Sequence, residues 1–332
     1  MYKHKNTPIW FMRQAGRYLP EYQEERKKKG SFINLCFDPM AAAKVSLQPI
    51  TRFDFDFIIL FSDILVIPLA LGQEVKFVEN EGPVLGCLES INILQNRNLE
   101  NSLKLLDPII ETVKILNEKK STKKLIGFCG APFTVMNYMI ERKTSNHQNV
   151  LNFIKTDKKQ ARNLIKILQE ISIEYLTRQI ESGADIVKIF DSWAGLLKGR
   201  EYEEFVIRPN KNINDEIKKR FPKIKTSFFP RGSGKSILDF LDNVNCDIIS
   251  LDEIFPEELN KIAVSRKITL QGNLSPKLLV EGGKKLEEEI RKIMLIFNKN
   301  DHIFNLSHGI LPETPVINVE KTISLVRKYR CL

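Results

Sequence analysis

The sequence predicts an α/β fold, a distorted (β/α)8 TIM barrel formed by residues 1–332 as a single domain. Three observations carry that expectation. Short apolar runs alternate with longer amphipathic stretches, the order of a parallel sheet wrapped by helices. Eight such runs occur in 332 residues, which suits a barrel with insertions better than a doubly wound sheet. No Gly/Ser linker, low-complexity block or internal repeat divides the chain, and its 15 prolines and 16 glycines are spread throughout.

The predicted strands, in order, are PIWFM (8–12), FIILFSD (57–63), LIGFCG (125–130), IVKIFD (186–191), KTSFF (225–229), DIISLD (247–252), ITLQG (268–272) and IFNLS (303–307). A linking helix is clearest between the third and fourth runs. Asp157 suits an N-cap, Leu164, Leu168, Ile171 and Tyr175 recur at steps of four and three, and Gly183 supplies the stop. In a barrel the chemistry collects where strands run out. The residues there are unusually polar: Arg13, Gln14 and Arg17 after the first run, Asp63 closing the second, Ser192 after the fourth, Asp252 ending the sixth, Asn273 after the seventh and His308 after the eighth. Any one of them could equally be a helix cap or a turn former.

Composition narrows the function classes. The chain is 42% hydrophobic and 9% aromatic, enough for a large globular core. No stretch approaches the roughly 18 apolar residues of a membrane helix, and no signal-peptide pattern is present. A cytoplasmic protein without membrane contact is expected, the seven residues before Pro8 leaving little room for an organelle transit peptide. The five cysteines, Cys36, Cys87, Cys129, Cys246 and Cys331, are scattered without a C-x-x-C pair, so neither disulfides nor a Cys-rich zinc site is expected. The net charge of +10 is compatible with acidic ligands or nucleic acid. Lys-rich runs such as Glu118-Lys119-Lys120 are equally the mark of an AT-rich coding sequence.

Several constellations could carry chemistry. Arg13 and Arg17, four apart in PIWFMRQAGRYLPEYQ, would share a face if the segment turns helical after Gln14. Two forks pointing one way suit a polycarboxylate or phosphorylated ligand, and a solvated helix face pairing with Glu21 or Glu25 is the alternative. Asp63 ends an apolar run and is either held for a purpose or an N-cap. His308 lies in the turn-rich NLSHGILPETP, where its imidazole can face the mouth. RGSGKS at 231–236 follows a strand, but Phe229 stands where a phosphate loop needs glycine. What remains is a Gly-rich basic loop able to touch anions. There is no H-x-C pair, no H-E-x-x-H, no G-x-S-x-G elbow and no complete dinucleotide fingerprint, so no metal is expected and hydrolase and dehydrogenase readings fall away.

Against these residues the chain resembles the uroporphyrinogen decarboxylase family. PIWFMRQAGRYLPEY, LQPITRFDFDFIILFSDILVIP, IGFCGAPFTVMNYMIE, GADIVKIFDSWAG, LQGNLSP and NLSHGILPETP look like its signatures, in family order, from residue 8 to residue 315. The resemblance implies a distorted barrel, a homodimer with facing clefts, no metal or prosthetic group, and conversion of uroporphyrinogen III to coproporphyrinogen III. It places the substrate-binding loop on Arg13, Gln14, Ala15, Gly16 and Arg17, the central aspartate on Asp63, and further site residues on Tyr138, Ser192 and His308, with Phe190 packing on the macrocycle. Ser275 and Ser307 depart from the LQGNLDP and NLGHG of many members, without replacing a carried-over residue.

That implied chemistry suits the residues. Without a cofactor to accept the electrons, the pyrrole itself must serve once protonated on a ring carbon. Asp63 would stabilise the resulting cation, Arg13 and Arg17 would hold carboxylates, and the proton could come through Arg13, water or Tyr138. A corrinoid or methionine-synthase-like methyltransferase, normally a zinc protein, is the enzyme alternative. A nucleic-acid binder exploiting the positive charge would need an aromatic-basic module, and none is seen.

Overall fold

The computed structural model describes residues 7–78, 81–88, 90–143 and 145–329; His4 and Cys331 lie outside them. Nine strands are found among these residues: β1 (Phe57–Ile59), β2 (Val75–Val78), β3 (Gly82–Leu85), β4 (Lys124–Gly130), β5 (Ile186–Asp191), β6 (Lys225–Pro230), β7 (Ile248–Ser250), β8 (Thr269–Leu274) and β9 (His302–Leu306). Seven form one sheet in the order β1-β4-β5-β6-β7-β8-β9, and every neighbouring pair in it is parallel. The strands are apolar almost without a break because helices cover a parallel sheet's outer face while its concave side is filled by side chains.

The connection from β4 to β5 shows how local signals build the frame. Its helix runs Lys158–Glu181, Asp157 accepts the Gln160 N–H at 3.2 Å, and Gly183 takes φ 111° just past the end. Leu164, Leu168, Ile171 and Tyr175 are all buried, contributing roughly 1.5–3 kcal/mol each for the aliphatic ones. The same helix is tied to the sheet by Gln179, whose carboxamide accepts from Phe128 N–H (2.8 Å) and donates to Phe128 O (3.0 Å). Gly127 makes room for it, since a Cβ there would lie 2.3 Å from Gln179 Oε1.

The first predicted strand is corrected by the structure. Within 8–12 only Ile9 pairs, as a single parallel bridge to Phe304. Only Trp10 N–H donates to the neighbouring strand, to Phe304 O at 3.3 Å, and the other donors a ladder would need are missing or committed elsewhere. Pro8 has none, Ile9 N–H donates to Asp56 Oδ2 (2.6 Å), Phe11 N–H to Gln14 Oε1 (3.2 Å) and Met12 N–H to Asn305 Oδ1 (3.0 Å). The segment still touches both edges of the sheet. Phe304 N–H donates to Pro8 O at 2.8 Å, and Asp56 N–H, just before β1, donates to Ile9 O at 3.0 Å. The seven-stranded sheet is therefore curled, with a seam between β9 and β1 filled by residues 8–12 in place of an eighth strand.

Two runs stop earlier than expected. β1 ends at Ile59 because Phe61 N–H turns to Ser46 Oγ at 2.9 Å, leaving Asp63 in a loop. β7 ends at Ser250, two residues before Asp252. The antiparallel hairpin β2–β3, with Val75 opposite Leu85, was not expected, since Pro83 reads as a strand breaker.

Inside the curl runs a buried polar chain. Lys188 Nζ donates to Ser227 Oγ (3.0 Å) and Ser250 Oγ (2.6 Å), Gln271 Nε2 donates to Ser250 Oγ (2.8 Å), and Trp10 Nε1 donates to Gln271 Oε1 (3.2 Å). Burial pushes the Lys188 amine down to about 7, and no carboxylate faces it. Cys36, Cys129 and Cys246 are buried free thiols and Cys87 is an exposed one. No helix among the described residues is long and apolar enough to cross a membrane.

Candidate active site

The C-terminal ends of the strands open on a mouth at which most of the expected residues converge. Arg13 opens a tight turn at φ 62°, in which Gln14 N–H donates to Phe11 O and Leu19 N–H to Gly16 O. A Cβ on Gly16 would stand 2.9 Å from Arg13 O, so the turn closes this tightly only with glycine. The helix starts at Pro20 (Pro20–Lys29), so the helical-face arrangement of Arg13 and Arg17 does not occur. Nor do they pair with the nearby acids: Glu21 is held by Arg52 and Glu25 by Lys28 and Lys44. Both guanidiniums are exposed and make no ion pair among the described residues. Gln14 is fully buried, its side chain bonded to Phe57 O (2.9 Å) and Phe11 N–H and its carbonyl to the Tyr18 hydroxyl.

Arg13 is placed by the far end of the chain. Its side chain lies on Gly309, where a Cβ would come within 2.5 Å of Arg13 Cδ, and Ile310 N–H donates to Met12 O at 2.9 Å. His308 is thereby set beside Arg13. Burial, with Arg13 and Arg231 adding repulsion, pushes its imidazole down to about 4, so it is neutral at physiological pH.

Asp63 is recessed in the loop after β1. Its Oδ1 accepts the Leu65 N–H at 2.8 Å, capping the turn before a short helix (Val66–Ala70); Oδ2 has no hydrogen-bond partner among the described residues. Asp63 is therefore not the helix N-cap, which is Leu65 without a side-chain cap; it braces the preceding turn through one oxygen and leaves the other uncommitted. Burial raises this carboxyl to about 6, against the lowering by Leu65 N–H and by Arg13. Tyr138, on the helix Pro132–Glu141, is half-buried and its phenol is raised chiefly by burial, with Asp63, Arg13 and Arg231 close enough to act on it.

The turn after β5 carries Phe190, Ser192 and Trp193. Phe190 stands edge-on to Phe128, centroids 5.5 Å apart. Beneath the turn Asp191 is buried, accepting from Thr134 Oγ1 (2.6 Å) and Asn210 Nδ2 (3.0 Å), while Thr134 Oγ1 accepts the Trp193 N–H (3.0 Å). Trp193 stacks its ring edge toward Tyr138 at 6.4 Å, and its buried indole N–H faces the phenol without reaching hydrogen-bond geometry. Asp191, Trp193 and Arg231 were not predicted as site residues; their position just at or after a strand end was the available signal. Asp252 and Asn273 are structural ties: Asp252 Oδ2 accepts Gly232 N–H (2.8 Å), and Asn273 Nδ2 donates to Asp252 O and Glu253 O.

A recessed carboxylate, the Arg13 guanidinium, a neutral imidazole and a flanking phenol meet at this mouth, a set able to bind an anionic ligand and to accept hydrogen bonds from it. The family model for uroporphyrinogen decarboxylase matches residues 2–329. Uroporphyrinogen decarboxylase of Orientia tsutsugamushi (strain Ikeda) is 46% identical over 97% of this chain and 94% of its own length. That of Rickettsia bellii (strain RML369-C) is 46% identical over 97% and 95%, and that of Cereibacter sphaeroides 40% over 96% and 94%. Among solved structures, a methyltransferase from Methanosarcina mazei superposes with a TM-score of 0.77 at 20% identity, covering 98% of this chain and 94% of the other. A B12-independent methionine synthase from Shewanella sp. W3-18-1 superposes at 0.54 and 13% identity over 88% and 86%; both likenesses are of fold. With a matched span of residues 2–329 and relatives of this similarity along nearly its whole length, the chain belongs to the uroporphyrinogen decarboxylase family, carboxy-lyases of porphyrin biosynthesis.

Proposed function

We propose that this decarboxylase converts the four acetate side chains of uroporphyrinogen III to methyl groups, giving coproporphyrinogen III without a cofactor. The observation that carries the reading is Asp63, recessed beside Arg13 with one carboxylate oxygen uncommitted. A proton added to the pyrrole ring carbon next to the acetate makes a cation. The bond from the side-chain methylene to the carboxylate breaks, its electron pair flows into the ring, carbon dioxide leaves, and the exocyclic methylene takes a proton to become methyl while the ring carbon releases the proton it gained, restoring the pyrrole. Asp63 accepts the pyrrole N–H bonds and stabilises the cation. Those donors also return its carboxyl to the ionised form.

Arg13 and Arg17 take substrate carboxylates, while Ser192, Tyr138 and neutral His308 serve as hydrogen-bonding partners and Phe190 supplies an apolar face to the macrocycle. Ala15 and Gly16 let the loop approach the ligand. The commitments of Gln14 assign it to shaping that loop. The same reading includes closure of the curled sheet as a distorted barrel in one domain, residues 8–12 standing in the eighth strand's place, a homodimer, and a cytoplasmic setting; the touching of both sheet edges by residues 8–12 supports the first of these.

The experiment is anaerobic incubation of the protein with uroporphyrinogen III, oxidation, and chromatographic counting of the remaining carboxyl groups. A ladder ending at four carboxylates is expected. Unchanged eight-carboxylate porphyrin from folded protein would overturn the reading. The proton donor is separated by pH–rate profiles of Arg13→Lys and Tyr138→Phe: the donor's variant shows a displaced limb, and unchanged profiles in both leave a bound water as the donor.

A further inference from the structure

The basic loop at 231–236 begins at the centre of the sheet. β6 is the middle strand of the seven, with three on either side. In a curled sheet whose seam holds residues 8–12, the end of β6 lies across the mouth from the loop bearing Arg13 and Arg17. Arg231 is the residue immediately after β6.

Its backbone is fastened on both sides. Arg231 N–H donates to Asp191 O (3.0 Å), and Arg231 O accepts from Gly195 N–H (2.9 Å). Gly195 lies so close to the loop that a Cβ would meet Gly232 O at 2.2 Å. On the other flank Gly232 N–H is held by Asp252 Oδ2 at 2.8 Å. Arg231 is thus locked to the turn that carries Ser192 and to the end of β7. The loop's own N–H at Gly232 is already taken by a carboxylate, so it is not available to a phosphate.

The side chain is not so committed. It is half-buried, and among the described residues it makes no hydrogen bond or ion pair. Its charge reaches Tyr138 and His308, both of which also feel Arg13, and Asp252 beside it. A partly desolvated guanidinium with no anion bonded to it is costly to keep in place unless a ligand supplies one, and its planar fork fits a carboxylate bidentately.

We infer that Arg231 is a carboxylate-binding residue on the far wall of the mouth, holding the side of the substrate disc that Arg13 and Arg17 do not reach. The inference rests on the polycarboxylate reading above. It makes the site a two-walled clamp, so that affinity depends on carboxylates at opposite edges of one ligand.

The probe is uroporphyrin III, the oxidised eight-carboxylate ring, which is bound and not turned over. Its dissociation constant is measured by fluorescence for wild type, R231Q and R231K, with thermal unfolding of each. Binding by R231Q is expected to weaken about tenfold or more, the worth of a charge-assisted contact. R231K should recover part of it, and the variants should melt like wild type. In turnover, KM for uroporphyrinogen III should rise by a similar factor while kcat changes less than threefold. Wild-type affinity in R231Q overturns the inference, as does a lowered melting temperature with unchanged affinity, which would make Arg231 a structural tether to Asp252. Should R231Q fail to fold, folded R231K with undiminished affinity overturns it equally, because lysine lacks the fork. The underlying reading fails by a different sign: wild type that binds uroporphyrin III and leaves uroporphyrinogen III intact.

Discussion

Replacing Asp63 with asparagine is expected to cut kcat for uroporphyrinogen III by about 10²–10³-fold, some 2.7–4 kcal/mol in barrier, the usual loss on removing one preorganised charge partner. The substitution is nearly isosteric. The asparagine oxygen can still accept the Leu65 N–H that Asp63 Oδ1 accepts at 2.8 Å, so the turn before Val66–Ala70 survives. What is lost is the second oxygen, replaced by an amide group that faces pyrrole N–H donors with a donor. Stability should move the other way. The folded carboxyl sits at about 6 against the ordinary aspartate value of 3.8, so between those values the folded state holds a proton that the unfolded chain has released. Stability therefore falls as pH rises through that window, and the asparagine variant escapes the fall. Above pH 6 the variant should be the more stable protein, by on the order of 1–3 kcal/mol, while being nearly inactive. Turnover with urea unfolding at pH 7 checks both. Near-normal turnover would sink the electrostatic role, and a less stable variant would make Asp63 chiefly a brace of that turn.

The second large effect is expected at Lys188. Its amine is fully buried inside the curl, bonded only to two hydroxyls, and lowered from 10.5 to about 7. Between pH 7 and 10.5 the unfolded chain binds a proton that the folded protein has given up. Wild-type stability should thus rise with pH across that window, and the penalty is full below it. Lys188→Met fills a similar volume without a titratable group. Ser250 keeps its bond from Gln271 Nε2 (2.8 Å), and losing the two amine bonds costs about 1 kcal/mol each. A net gain of roughly 1–3 kcal/mol at pH 7 is expected, vanishing near pH 10. Denaturant unfolding of both proteins at the two pH values reads the difference. Equal stabilities at pH 7 would mean that the buried amine carries no penalty.

What could be read from the sequence was local. Asp157, the apolar positions through Tyr175 and Gly183 announce the helix Lys158–Glu181 because cap, stripe and stop all lie within the segment itself. Strands β4, β5, β6, β8 and β9 were legible for the same reason, each being an apolar run bounded by turn residues. Residues 8–12 carry the pattern of a strand, yet the N–H groups of Ile9, Phe11 and Met12 are taken by Asp56, Gln14 and Asn305. Two of those three partners are 47 and 293 residues distant, beyond any window of periodicity. At the site, Arg13, Asp63 and His308 were legible as polar residues at strand ends. Tyr138 came only from resemblance, being one aromatic on an apolar helix. The burial of Gln14 was not legible, because its partner is the carbonyl of Phe57 and a carbonyl has no sequence signature. Arg231 opens a glycine spacing close to that of a phosphate loop, and nothing local in 231–236 marks it as a residue of the mouth.

The seam that residues 8–12 fill has a consequence for how the chain reaches its finished state. Met12 is fixed by Asn305 across 293 residues and Thr7 by Arg327 across 320. Contacts of such sequence separation add their loop-closure entropy late, after the helices and neighbouring strands between them have formed. The arginine turn hangs from that seam, and its shape depends on Gly309 as much as on its own residues. On a ribosome the turn is made early, but its geometry waits for the last strand. If the turn grips the substrate as proposed, a nascent or partly folded chain offers it no organised hold, and ligand capture becomes a test of completed folding. By mass action the bound ligand should in turn hold the two ends of the chain together.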